Sequence, residues 1–313
     1  MSTAEAVARE LDHQGYAVIR GFLSDDDVSP ALLGFLEGAE KFADGVIGDI
    51  PSDEMLKVKK KIEAFIPGVA ERMGLSISKN RYGYCSIRIK EAQGEPVLRK
   101  PFNLHRDPKV APGGVLNWHL DHFSYYVHVD HKNWLICYMP VMKPSKELTN
   151  LAIIPTHVVK ALDPVLQRSI EGRGAMRFRC VEADTIEWFK MRFPGQALNV
   201  GDWFAIDDYD DSTMGWKIGI DLEKEKVVPD LAAHDLLIMR ADVIHRTNDA
   251  GSDRISIRCD AVPFHAPKLD TWLGLLGLTV RFPFLGEKRR YNLRNWLRKE
   301  WAKRLPWFMS GNA

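Results

Sequence analysis

Six short runs of aromatic and β-branched residues, separated by turn residues, constrain this chain most. They are Tyr82-Gly-Tyr-Cys-Ser-Ile-Arg-Ile89, Asn133-Trp-Leu-Ile-Cys-Tyr-Met139, Leu151-Ala-Ile-Ile154, Trp203-Phe-Ala-Ile206, Asp235-Leu-Leu-Ile-Met239 and Ile255-Ser-Ile-Arg-Cys259. Runs of this length suit strands, and many short strands with turns between them favour a barrel or sandwich. The region before them is helical in texture. Ala4 to Leu11 reads as a helix broken by Gly15, and Tyr16 to Ile19 as a short strand. Ser24 followed by Asp25, Asp26 and Asp27 reads as a helix N-cap with acids in the first turn. Helix then continues to about Met73, interrupted at Pro51 and Pro67. The 313 residues are therefore read as one mainly β domain with α decoration: a helical region 1–75, a β core over about 80–265 and a tail over 270–313.

Composition narrows the function classes. A net charge of +1 argues against nucleic-acid binding through bulk electrostatics. The N-terminus has no basic segment followed by an apolar run, and no apolar stretch is long enough to span a membrane, so a cytoplasmic protein is expected. Cys85, Cys137, Cys180 and Cys259 are widely spaced and read as reduced thiols, small apolar residues in the core.

The chemistry-bearing residues fall in two distant fragments. Trp118-His119-Leu120-Asp121 supplies an imidazole and a carboxylate, and His245 supplies a second imidazole, followed by Arg254-Ile255-Ser256. Two histidines and one carboxylate on one face of a metal, with the other positions open, is how non-haem Fe(II) oxygenases hold iron. An arginine after the second histidine suits a small dicarboxylate co-substrate gripped by a guanidinium fork. His-x-Asp alone is a weak signal, because residues two apart on any strand share a face. The chain has three such pairs: His105/Asp107, His119/Asp121 and His128/Asp130. The first runs into Pro108 and reads as a turn. The third sits in a polar stretch before a strand and reads as a hairpin loop. The second follows Pro112-Gly-Gly114 and the apolar Val115-Leu116, which suits a strand entering a core.

Four places in the chain resemble the phytanoyl-CoA dioxygenase-like branch of the Fe(II)/2-oxoglutarate oxygenases. Leu11-Asp-His-Gln-Gly-Tyr-Ala-Val-Ile-Arg-Gly-Phe-Leu23 is similar to the family's N-terminal entry, and Trp118-His119-Leu120-Asp121 to its Trp-His-x-Asp motif. Asn150-Leu-Ala-Ile-Ile-Pro155-Thr-His157 is similar to its strand ending in Pro-Gly-Ser-His. His234-Asp235-Leu-Leu-Ile-Met, His245 and Arg254-Ile-Ser256 resemble its Gly-Asp-x-Leu-x-Phe, His and Arg-x-Ser ending. Two departures stand out: His234 replaces the usual glycine, and Thr156 alone precedes His157. The resemblance implies a double-stranded β-helix, a jelly-roll barrel. It implies that His119, Asp121 and His245 hold Fe(II). Arg254, helped by Ser256, would pair with the far carboxylate of 2-oxoglutarate, with Arg258 on the same strand face as competitor. The implied reaction uses O2, releases succinate and CO2, and oxidises a C–H bond of a small molecule; a retained Asp121 favours hydroxylation or desaturation over halogenation.

Other readings stay open. A barrel that binds without catalysis, or a Zn(II) hydrolase using the same triad, would keep the histidines but has no need of the arginine. The stretch from Asp121 to His245 is longer than a simple barrel needs, so an insertion is expected over about 158–232, a candidate lid. Trp203, Tyr125 and Tyr126 could line a pocket, though aromatics in such a fold more often belong to the core. Between Gly286 and Leu305 eight Lys or Arg stand against two Glu, with Leu293, Trp296, Leu297, Trp301 and Leu305 near one helical face. Docking on the barrel or on a second copy is expected of this helix, with a membrane-surface anchor as the alternative.

Overall fold

Gly15 sets the path of the N-terminus. It caps helix α1 (Ala4–Gln14) in the left-handed conformation, φ 83°, and its N–H returns to the Leu11 carbonyl. A Cβ at this position would lie 2.5 Å from Val243 and 2.6 Å from Thr156, so both conformation and space require glycine. At the other end the Thr3 hydroxyl accepts the Ala6 N–H. Val7, Ala8 and Leu11 recur at helical spacing and are buried. The chain turns directly into strand β1 (Tyr16–Ile19).

The computed structural model describes residues 3–38, 46–49, 55–75, 77–89, 118–120, 135–171, 176–207, 215–249 and 252–263. All six β runs read from the sequence are strands within them. The larger sheet has the order β1, β9 (Leu236–Arg240), β4 (Leu135–Met142), β11 (Arg254–Pro263), β3 (Ile77–Ile89) and β2 (Val46–Asp49), antiparallel throughout. Strands β4 and β9 are buried on both faces, which explains their nearly unbroken apolar sequence. One face carries Leu135, Cys137, Met139, Ile238, Ile255 and Ile257, packed with residues of α1, α2 (Pro30–Gly38) and α3 (Leu56–Arg72). The other carries Tyr16, Ile136, Tyr138, Leu237 and Met239, packed against Leu151 and Ile153 of the second sheet.

The second sheet is assembled around a three-residue segment. Strands β5 (Leu151–Ile153) and β10 (His245–Thr247) form one ladder, and β6 (Met176–Cys180), β7 (Trp203–Asp207) and β8 (Gly215–Ile218) another. Trp118–Leu120 lies between them, with His119 bridged to His245 on one side and to Arg177 on the other. Past β5 the chain leaves this sheet through α4 (Thr156–Leu162) and α5 (Pro164–Ile170), whose Val159, Leu166 and Ile170 cover its outer face. It then runs through β6, α6 (Ile186–Arg192), β7, β8 and α7 (Leu222–Glu225). It rejoins β5 at Val227, which exchanges backbone hydrogen bonds of 2.8 and 2.9 Å with Ile153. The architecture is mixed α/β, two facing antiparallel sheets with helices outside both. Closure of the sheets into a barrel is not seen among the described residues.

Two local expectations need correction. Ser24 does not start a helix. It closes a turn in which its N–H and hydroxyl both donate to Asp27, at 2.8 and 2.7 Å. The helix starts at Pro30, where Ser29 accepts the Leu32 N–H and proline sits in the first turn at no cost. Pro67 does not interrupt α3; burial of Ile62, Ile66, Val69 and Ala70 along one face holds the helix through it. Trp203 is core, 8% exposed, with its indole N–H donated to Asp221. Cys137, Cys180 and Cys259 form no disulfide among the described residues. No helix of the described residues is long and apolar enough to cross a membrane. Asp121, Tyr125, Tyr126, the other two His-x-Asp pairs, the acidic run after Asp207 and the basic tail lie outside the described residues.

Candidate metal and carboxylate site

Register places His119 and His245 side by side. Their backbones exchange two hydrogen bonds, His119 N–H to His245 O at 3.0 Å and His245 N–H to His119 O at 3.1 Å. Directly opposed residues of an antiparallel pair project to the same face. The imidazole centroids are 4.4 Å apart and tilted by 49°. That face points toward the larger sheet, because His245 is also opposite Ile153, whose side chain belongs to the cluster between the sheets. Arg177, opposite His119 on β6, shares it.

The His245 ring is oriented from its own strand. Nδ1 lies 3.0 Å from the Val243 carbonyl, and a carbonyl can only accept, so Nδ1 carries the proton. In the neutral ring the lone pair then lies on Nε2. His245 is 7% exposed, so water competes weakly for it. Among the described residues no group of three potential metal-ligating side chains occurs; the structure brings His119 and His245 together, and Asp121 lies outside what it describes.

Arg254 and Ser256 meet across the facing sheet. Arg254 is 1% exposed, among the largest fully buried side chains. One guanidinium N–H donates to the Thr149 carbonyl, the guanidinium lies 5.1 Å over the Tyr138 ring, and Nε has no partner among the described residues. Burial lowers its pKa from the usual guanidinium value, with Tyr138 and Asp249 opposing. Ser256 donates to the Tyr138 hydroxyl at 2.6 Å. Lys143 adds a second buried cation. Its ammonium donates to the carbonyl of Leu231 at 2.6 Å and to Asn150, and burial first, then Arg254, push its pKa down to about 8. A guanidinium held by a neutral carbonyl, short of a partner and next to another cation, is a site that favours an anion. Arg258, four residues further on the same strand face, is less buried than Arg254 and takes part in an interaction of its own.

No protein-family model and no curated protein matches this chain. Its structure is similar to solved structures of low identity. One is the non-haem α-ketoglutarate-dependent epimerase SnoN from nogalamycin biosynthesis, with a TM-score of 0.43 and 12% identity over 85% of this chain and 88% of that one. Another is the carbocyclase SnoK of the same biosynthesis, with a TM-score of 0.45 and 13% identity over 83% and 85% of the two chains. A third is a Pseudomonas putida prolyl-4-hydroxylase, with a TM-score of 0.45 and 11% identity over 84% and 100%.

Several residues at this site carry no signal in the sequence. Tyr138 reads there as one more strand aromatic, and Lys143 as a surface lysine after β4. Thr149 holds φ 54°, a conformation rare for a β-branched residue. Its fully buried hydroxyl bonds Ser252, and its N–H donates to Asp249 at 2.6 Å. His234 also has a left-handed backbone, φ 73°, a conformation that favours glycine.

Proposed function

We propose that this chain is an Fe(II)- and 2-oxoglutarate-dependent oxygenase that oxidises a C–H bond of a small molecule, by hydroxylation or desaturation. The observation that carries the reading is the pairing of His119 with His245 on a face that looks toward a buried, under-partnered Arg254. The donor set fits the metal. Two imidazoles, one fixed in the tautomer that frees Nε2, together with Asp121 two residues beyond His119, make a two-histidine, one-carboxylate set for Fe(II). The anion site fits the co-substrate. Arg254 would take the far carboxylate of 2-oxoglutarate through Nε, which has no partner among the described residues, beside the Ser256–Tyr138 hydroxyl pair.

When bound, iron and 2-oxoglutarate supply the O2-dependent oxidation, with succinate and CO2 released. The chain's own contribution is orientation and exclusion of water. The Val243 carbonyl holds the His245 ring, the strand register holds His119 against it, and Ile153, Leu237 and Met239 wall the space between the sheets. Desolvation at Arg254 makes a single carboxylate contact stronger than it would be in water. The alternation of the chain between sheets supports the finer fold reading: β3, Trp118–Leu120, β4, β5, Val227, β9, β10 and β11 fit the order of a double-stranded β-helix. On that reading the excursion between β5 and Val227 is an insertion into the domain. A hydrolase or simple metal binder has no use for the carboxylate site.

Anaerobic addition of Fe(II) and then 2-oxoglutarate tests the proposal. The expected result is a visible metal-to-ligand charge-transfer band that needs both additions, and succinate formation on admission of O2. Tight Zn(II) binding with no band and no succinate would sink it.

A further inference from the structure

The opposite face of the strands that carry the two histidines holds a polar cluster centred on Glu223. Trp118 and Arg246 are the immediate neighbours of His119 and His245, so alternation points their side chains away from the histidine face. There they meet one carboxylate. Glu223 Oε1 accepts the Trp118 indole N–H at 2.8 Å, and Oε2 accepts Arg246 Nη2 at 2.9 Å and Lys226 Nζ at 2.8 Å. The Arg246 guanidinium lies 5.0 Å over the Trp118 ring, and its Nη1 donates to the carbonyls of Thr247 and Asn248, both at 2.9 Å. Trp118 is 1% exposed and Arg246 4%.

We infer that Glu223 is a positioning residue for the histidine pair, a clamp that sets how the strand of His119 lies against the strand of His245. This rests on the proposed metal reading of that pair. The physical reason is the shortness of the segments involved. His119 is joined to β10 through a single bridge, and β10 itself has three residues. Two backbone hydrogen bonds leave a short pair free to twist, whereas a carboxylate bonded to the residue beside each histidine removes that freedom. Glu223 is itself fixed. It is the second residue of α7, whose N-cap Asp221 accepts its N–H at 3.0 Å and also holds the Trp203 indole. Although burial alone would raise the Glu223 pKa, the hydrogen bonds from Lys226 and Trp118 and the charge of Arg246 outweigh it, and the carboxylate stays ionised. The residue therefore supplies charged acceptor oxygens to both strands.

Metal affinity separates positioning from fold maintenance. Fe(II) is titrated anaerobically into the full chain and into Glu223→Ala, Glu223→Gln and Lys226→Ala, and the metal-free melting temperature of each is recorded. Outer groups that orient ligands typically change affinity by about 10–100-fold. Glu223→Ala is expected to raise the Fe(II) Kd by about tenfold or more and to shift the charge-transfer band formed with 2-oxoglutarate. Glu223→Gln, which keeps one oxygen acceptor, should fall between it and the full chain. Lys226→Ala, which leaves Trp118 and Arg246 bonded to Glu223, should raise the Kd less than Glu223→Ala does. A Glu223→Ala protein that folds and binds Fe(II) like the full chain overturns the inference. If Glu223→Ala does not fold, a Glu223→Gln protein with unchanged Kd and band position overturns it. Failure of the full chain itself to bind Fe(II) is a different result, and removes the metal reading on which the inference stands.

Discussion

Thr149, in the left-handed region at φ 54°, presents its carbonyl to the buried guanidinium of Arg254. Strained backbone persists where surrounding contacts over-determine it, and here Asp249 takes the Thr149 N–H while Ser252 takes and gives a hydrogen bond at its hydroxyl. Strain is thus concentrated at the proposed carboxylate site. Thr149→Ala leaves the Ser252 N–H unpartnered in a buried place and should cost about 1–3 kcal/mol by urea denaturation. Thr149→Gly loses the same hydroxyl but relieves the dihedral, so it should be the more stable of the two by about 1 kcal/mol. Alanine proving the better residue would show that the conformation carries no strain.

Each of His119→Ala, Asp121→Ala and His245→Ala should abolish iron-dependent 2-oxoglutarate turnover and the stabilisation that added Fe(II) gives in a melting curve. Asp107→Ala and Asp130→Ala should leave both largely intact. An Asp130 variant that loses iron while the Asp121 variant keeps it would move the metal to the other His-x-Asp pair.

Arg254→Leu should raise the apparent KM for 2-oxoglutarate by about tenfold or more, because a buried carboxylate loses a charge-assisted bond. Fe(II) affinity should change little. Arg258→Leu should have the smaller effect, since Arg258 is less buried and takes part in an interaction of its own. Steady-state kinetics on both variants decides, and the reverse order would reassign the anchor.

Acid sensitivity should carry a signature from Asp27. Burial alone would raise its pKa, but bonds from Lys61, at 2.5 Å, and from the Ser24 N–H and hydroxyl bring it down to about 2. A folded-state pKa below the unfolded one means that the stabilisation is present above about pH 4 and is lost as pH falls toward 2. Asp27→Asn should therefore cost about 1–2 kcal/mol at pH 7 and lose less between pH 4 and 2 than the unsubstituted chain. Denaturant midpoints across that range provide the measurement; parallel curves for the two proteins would exclude the assignment.

Local patterns were legible wherever burial followed from adjacent residues. The short, nearly unbroken apolar runs of Leu135–Met142 and Leu236–Arg240 mark strands, and Gly15 marks a helix end, because each signal acts within a few residues. Ser24 misled because an acid three residues on serves a turn as well as a helix start. The continuation of α3 through Pro67 was hidden for another reason: the burial that holds it comes from α1 and other elements distant in the chain.

The sequence by itself determined the strand-rich core, the histidines available for a metal and the arginine and serine available for a carboxylate, since those depend on residue type and on period-two alternation. Only the tertiary structure decided which of them meet. The pairing of His119 with His245 is a matter of inter-strand register, and one residue of slip would turn a histidine to the other face. The deeper burial of Arg254 than of Arg258 is likewise a tertiary matter, which no spacing encodes. Glu223 reaches Trp118 and Arg246 only because the chain returns to β5 at Val227, and that return is fixed by packing between segments far apart in sequence.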